Sequence, residues 1–178
     1  MSETIDHHFV ARHKWMELWT GYNDQPYLRV PAGVYIVPMN YAGEVMMIRE
    51  PAIHSGEWVL ELPGGKIDEG ESPSQAANRE LQEEIGYKAE VLFPLAVLNP
   101  LTRHARWDLH LFLARNLMPS RMMGDEIYQI EIERVPLETF EPLIASGRLQ
   151  DSSVIAALYM ARQFISGKLV VNPLTDKP

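Results

Sequence analysis

"GKIDEGESPSQAANRELQEEIGY", residues 65–87, decides how this chain is read. Its second half carries helix signals at both ends. Ser72 is placed to cap the N-terminus, Gln75 three residues on completes a capping box, and Pro73 suits the first helical position. Gly86 suits the left-handed position that closes a helix. The spacing predicts a helix over 73–85. At about 100° per residue, Ala77, Leu81 and Ile85 form an apolar stripe, and Glu80, Glu83 and Glu84 gather along one flank of it. The carboxylates therefore border the buried side. Like charges three or four residues apart on a helix repel by about 0.2–0.5 kcal/mol per pair even when exposed, and burial makes this worse. A divalent cation relieves the repulsion, since clustered carboxylates with backbone carbonyls are the oxygen ligands that Mg²⁺ or Mn²⁺ takes. The competing reading is a solvated helix face on which Arg79 pairs with Glu83. The Gly64-Gly65 pair favours the first, because it lets backbone carbonyls approach the same place.

Working outward, the flanking segments read mostly as strands. Residues 6–30 mix aromatic and polar side chains without helical period, which predicts a β-rich N-terminal region, and "YLRV" (27–30) reads as a strand broken at Pro31 and Gly33. "GVYIVPM" (33–39) and "AGEVMMIRE" (42–50), separated by "NYAG", predict a hairpin whose apolar runs are too continuous for a sheet wet on one face. "EWVLELPGG" predicts a short strand stopped at Pro63 and the glycine pair. After the helix come strands in "EVLFPLAVL", "WDLHLFLARNL" and "YQIEIERV", the first two joined by "NPLTRHAR". "PLETFEPLIASG" predicts short helical pieces limited by Pro142. "DSSVIAALYMARQFISG" predicts a helix capped by Asp151 or Ser152, with Val154, Ile155, Leu158, Met160 and Phe164 partly on one face as core.

Composition sets further bounds. With 178 residues, 46% hydrophobic and 22% charged, the chain suits one globular domain with a sizeable core. It has no cysteine, which excludes disulfides, thiolate metal sites and a cysteine nucleophile. A formal net charge of −8 argues against a nucleic-acid polymer as partner, because such binding relies on Lys and Arg neutralising phosphates. A small anionic substrate remains compatible if a cation sits between it and the carboxylates. No run of about 18 apolar residues is present, and the first residues lack the apolar stretch of an export signal. No membrane association and a cytoplasmic address are expected.

The pattern Gly65, five residues, Glu71, seven residues, then Arg79-Glu80-Leu81-Gln82-Glu83-Glu84-Ile85-Gly86-Tyr87 resembles the signature of the Nudix hydrolases. Gly65, Glu71, Arg79, Glu80, Glu83, Glu84 and Gly86 match in identity and spacing. Tyr87 departs from it, an aromatic where an aliphatic is more usual. The resemblance implies an α/β/α sandwich with a mixed central sheet. It implies one Nudix hydrolase domain over 1–178, with an N-terminal β segment at 1–45, a catalytic core at 46–170 and a tail at 171–178. By the same resemblance, Gly64, Glu80, Glu83 and Glu84 hold Mg²⁺ or Mn²⁺. Glu80 and Glu83 serve catalysis, and Gly65, Glu71, Arg79 and Gly86 keep the site in shape.

The order of segments outside the signature looks like the branch that hydrolyses ADP-ribose and other ADP-linked compounds. That branch implies a small nucleotide-diphosphate substrate cut by metal-activated water into AMP and a phosphorylated product. NADH, diadenosine polyphosphates and other nucleotide sugars are the alternative substrates, and a noncatalytic metabolite sensor is the alternative function. Carried over residue by residue, Arg49, Glu61 and Pro100 contact substrate, and Glu126 acts as base with Asp125 as its alternative; Arg103, in a segment that departs from the branch, either meets a substrate phosphate or is a solvated loop cation. Pro100 falls somewhat early for the branch, and "LTRHARWD" lacks the glycine and glutamate common there. The branch also implies a homodimer exchanging N-terminal strands. Trp15, Trp19 and Tyr22 then either stack on a base or pack an interface. The histidines show no metal-ligand spacing.

Overall fold

The computed structural model describes residues 5–124 and 130–171. The chain runs β1 (His8–His13), β2 (Met16–Thr20), β3 (Pro26–Arg29), β4 (Gly33–Pro38), β5 (Glu44–Pro51), β6 (Trp58–Glu61), β7 (Gly64–Lys66), α1 (Pro73–Glu80), β8 (Tyr87–Leu98), β9 (Ala105–Arg106), β10 (Leu109–Pro119), β11 (Glu131–Pro136), α2 (Glu141–Ala145) and α3 (Ser152–Ile165). The strands form three sheets, ordered β1-β2-β3-β9, β7-β4-β10-β8 and β11-β5-β6. β10 runs parallel to β4 and β9 parallel to β3, while the other pairings are antiparallel.

The continuous apolar runs are explained by burial on both faces. Val34 and Ile36 of β4, Met46 and Ile48 of β5, and Phe112 and Ala114 of β10 pack on Ala76, Ala77, Leu81 and Ile85 of the acidic helix. Their neighbours Val37, Val45, Met47, Leu111 and Leu113 point the other way, onto Val154, Ala157, Leu158 and Ala161 of α3. Alternation of side chains along each strand thus feeds two cores, and the helix-sheet-helix layering expected of the chain follows. Asp151 caps α3, its Oδ1 accepting from the Ser153 and Val154 N–H groups at 2.7 and 2.9 Å. Ile155, Met160 and Phe164 lie only at the margin of that core.

Two details differ from the sequence expectation. β4 and β5 do not form a hairpin ladder. β4 is flanked by β7 and β10, and β5 by β6 and β11, so each has both edges taken, and only a Met39–Val45 bridge joins them. Asn40 shapes the turn instead, its Oδ1 accepting from Ala42 and Glu44 N–H and its amide donating to Glu44 Oε2. The helix of 73–85 is α-helical only through Glu80. Leu81–Ile85 widen into a π-helical turn, closed by the Gly86 N–H reaching Leu81 O with Gly86 at φ 77°. Such turns occur mostly as single insertions at functional sites, and no side-chain period announces them. The capping box of Ser72 and Gln75 forms as expected.

Leu158 is wholly buried between α3 and the sheets. Leu158→Ala is expected to cost about 2–5 kcal/mol of stability, read as a lower denaturant midpoint at unchanged slope.

Candidate active site

β7 lies against the flank of the acidic helix because Gly64 and Gly65 have no side chains. A Cβ on Gly65 would overlap the Glu80 carboxylate, and one on Gly64 would overlap Val34 O of the neighbouring strand. In that space the Gly64 N–H donates to Glu84 Oε2 at 2.9 Å. Glu80 and Glu84 are only 7% and 5% exposed. Buried carboxylates need compensation, and Arg79 supplies much of it. Its Nε and Nη2 reach the two Glu71 oxygens, both at 3.1 Å, and its Nη1 reaches Glu80 Oε1 at 2.8 Å and Glu83 Oε2 at 3.1 Å. Nη2 also donates to Lys66 O at 2.8 Å, which ties the guanidinium to β7. Burial works against the Arg79 charge, and the hydrogen bonds and charges of Glu71 and Glu80 overcome it, so its pKa stands above the ordinary value. Glu71 in addition accepts from the Asp68 N–H at 3.2 Å.

The donor chemistry fits a hard divalent cation. Carboxylates of Glu80, Glu83 and Glu84 crowd one helix flank beside glycine backbone, without a sulfur or imidazole donor among them. Among the described residues no three acidic or histidine side chains already converge as ligands. Two of these carboxylates are turned to Arg79 and the third to Gly64 N–H, so an entering cation would compete with one guanidinium and one amide.

Next to the glycines opens a pocket of about 200 Å³. Trp15, Trp107, Tyr35, Glu61 and Lys66 are among its walls. Tyr35 Oη donates to Glu61 Oε2 at 2.9 Å. Burial pushes the Glu61 pKa up; the Tyr35 hydrogen bond opposes this in part, and the charges of Asp151 and Glu50 add to the rise. Sequence reasoning missed Tyr35 and Trp107. Tyr35 sits inside an apolar run and reads as core, and nothing local signals that a residue 26 positions away meets it.

The remaining sequence candidates scatter. Arg49 lies over Trp58, 5.5 Å from its ring, and pairs with Glu131 at 3.1 Å and Glu133 at 4.0 Å. It lines a neighbouring depression that shares Glu61 with the pocket. Pro100 and Arg103 line neither; their loop is tied by Asn99 to Ala105 O and by Leu28 N–H to His104 O. Trp19 is used inside the N-terminal sheet, against Phe9 and Arg29. Glu126 and its alternative Asp125 lie outside the described residues. The described stem before them does reach the site: a Cβ on Gly124 would stand 3.3 Å from Glu83 Cβ, and Met122 N–H donates to Gln82 O at 3.1 Å.

A glycine-lined strand against an acidic helix, beside an aromatic pocket, defines a class. The NUDIX domain family matches residues 29–158, and the chain belongs to that family, as one of its pyrophosphohydrolase enzymes. It is 31% identical over 135 residues to the ADP compounds hydrolase NudE of Escherichia coli, covering 76% of this chain and 72% of that protein. It is 28% identical over 130 residues to the ADP-ribose pyrophosphatase of Bacillus subtilis, covering 72% and 70%. A crystal structure of an ADP compounds hydrolase superposes with a TM-score of 0.81 at 28% identity, over 93% of this chain and 96% of the other.

Because folding raises the Glu61 pKa, the native state holds that proton more tightly than the unfolded chain. The stability difference between wild type and Glu61→Gln is therefore expected to shift against the wild type as pH rises from about 4.3 through the raised pKa, then to level off. Denaturant titrations at a series of pH values check this; a difference that grows in the wild type's favour would contradict it.

Proposed function

We propose that this chain hydrolyses the diphosphate of an ADP-linked metabolite, such as ADP-ribose, to AMP and a phosphorylated product. The observation that carries this reading is the approach of the Gly64-Gly65 strand to the Glu80, Glu83 and Glu84 flank, beside a pocket walled by Trp15 and Trp107. The names of the relatives, an ADP compounds hydrolase and an ADP-ribose pyrophosphatase, support the substrate class.

Glu80, Glu83 and Glu84, with the Gly64 carbonyl, would hold Mg²⁺ or Mn²⁺. Bound there, the cation supplies charge neutralisation on the diphosphate and an acidified water. The chain's own residues do the rest. Arg79 and Glu71 keep the acidic flank in register through the fork described above. The tryptophans offer apolar faces to a base, and Glu61 offers an acceptor to its polar edge or to a ribose hydroxyl. Arg49, which lines the neighbouring depression together with Glu61, would meet a substrate phosphate in this reading. In hydrolysis Glu126 would take the proton from a water that attacks phosphorus, as the bridging P–O bond breaks and the second phosphate leaves as its anion. What supports that last assignment is the packing on Glu83 of Gly124, two residues before Glu126 in the sequence. Pro100 and Arg103 take no part in this reading. A homodimer sharing N-terminal strands remains part of it, supported by β1, which is exposed along its whole length.

Incubation with Mg²⁺ and a panel of ADP-ribose, NADH, diadenosine triphosphate, ADP-glucose and GDP-mannose tests the proposal. Selective AMP release from an ADP-linked compound is expected, with Glu84→Gln losing at least about 100-fold in kcat, the scale of removing a group that stabilises transition-state charge. Tight binding of a panel member without turnover would overturn the hydrolase assignment and favour a sensor.

A further inference from the structure

Tyr87, the aromatic departure from the family signature, has no role in the reaction above. It follows Gly86, the residue that closes the π-helical turn, and it walls a second depression of about 190 Å³ that, among the described residues, shares no lining residue with the active-site pocket. This depression opens where β4 and β5 part into different sheets. Met39 and Met46 give it an apolar side, Tyr41 stands at it 87% exposed, and Arg115 of β10 and Arg134 of β11 bring in charge.

Net charge is −8, and Arg12, Arg49, Arg79, Arg148 and Arg162 each meet a carboxylate. Among the described residues no carboxylate lines this depression, and the side chains of Arg115 and Arg134 make no ion pair or hydrogen bond. Glu44, the acid of the adjoining turn, is engaged by the Asn40 amide at 2.9 Å. Arg115 and Arg134, on separate sheets, both line this one concavity, and two guanidiniums are a donor set for an anion with several acceptor oxygens. Two tyrosines at the same place offer faces to a flat ring.

We propose that this depression is a second binding site, for a phosphomonoester that carries a planar ring, a nucleoside monophosphate being the simplest case. The phosphate, carrying about −1.5 to −2 charges at neutral pH, sits at Arg115 and Arg134, and the ring lies against Tyr41 and Tyr87. The depression holds one end of such a molecule, and the remainder stays in solvent.

Calorimetric titration with AMP in the presence of EDTA tests this, because without divalent cations the acidic flank of Glu80, Glu83 and Glu84 repels a dianion whereas an arginine site needs no metal. One AMP per chain is expected to bind, less tightly as KCl is raised. Inorganic phosphate is expected to bind at least about fivefold more weakly, for want of a ring to stack. Arg115→Gln with Arg134→Gln should weaken AMP at least about tenfold, and Tyr41→Ala should weaken AMP but not phosphate. All three positions are solvent-exposed, so melting temperature and turnover of the panel substrate should stay at wild-type values. Unchanged AMP affinity in the double arginine variant, no AMP binding by the wild type, or phosphate binding as tightly as AMP would each overturn the proposal. None of the binding readouts depends on hydrolysis, so failure here is separate from failure of the hydrolase reading.

Discussion

One guanidinium organises the acidic site. Arg79 reaches Glu71, Glu80, Glu83 and the Lys66 carbonyl at once, so the loop, the helix and the glycine strand share a single cation. Without it, carboxylates that are nearly buried would face each other across one helical turn. Hydrogen bonds to charged groups contribute about 1.5–3 kcal/mol each, several times the exposed like-charge repulsion they offset. Arginine suits the position because its planar fork meets two Glu71 oxygens while its other face serves the helix, which a lysine's point charge cannot do.

The second constraint is absence of side chain. Gly65 leaves room for the Glu80 carboxylate, and Gly64 lets a strand pass within hydrogen-bonding reach of Glu84. Strand and helix therefore come together through backbone and carboxylate rather than through packed hydrocarbon. The opposite flank of the same helix does the packing, with Ala76, Ala77, Leu81 and Ile85 set on the sheets. A helix that is acidic on one side and apolar on the other can thus be anchored firmly while its charges stay available to a cation.

The parting of β4 and β5 links this arrangement to the rest of the molecule. Each strand gives both edges to other partners, so the chain builds two sheets where a hairpin would build one. β4 places Tyr35 toward Glu61 at the active-site pocket, and the turn after it carries Tyr41 to the second depression. The π-helical turn lies between these places, with Glu83 and Glu84 inside it and Tyr87 just beyond its end.

Much of this was legible in residues 65–87 alone. Capping box, apolar stripe, acidic flank and closing glycine are local signals, because helix ends and helical period depend on neighbours within a few positions. The apolar runs announced strands buried on both faces for the same reason, side-chain alternation being a property of the strand itself. What the sequence could not settle were matters of pairing and convergence. Which edges β4 and β5 give away, that Leu81–Ile85 widen, that Tyr35 meets Glu61, and that Arg115 and Arg134 share a hollow while Pro100 and Arg103 line neither pocket all depend on distant segments competing for the same edges and spaces. Local chemistry determined that this chain carries an acidic helix beside a glycine strand; only tertiary packing decided which side chains stand around it.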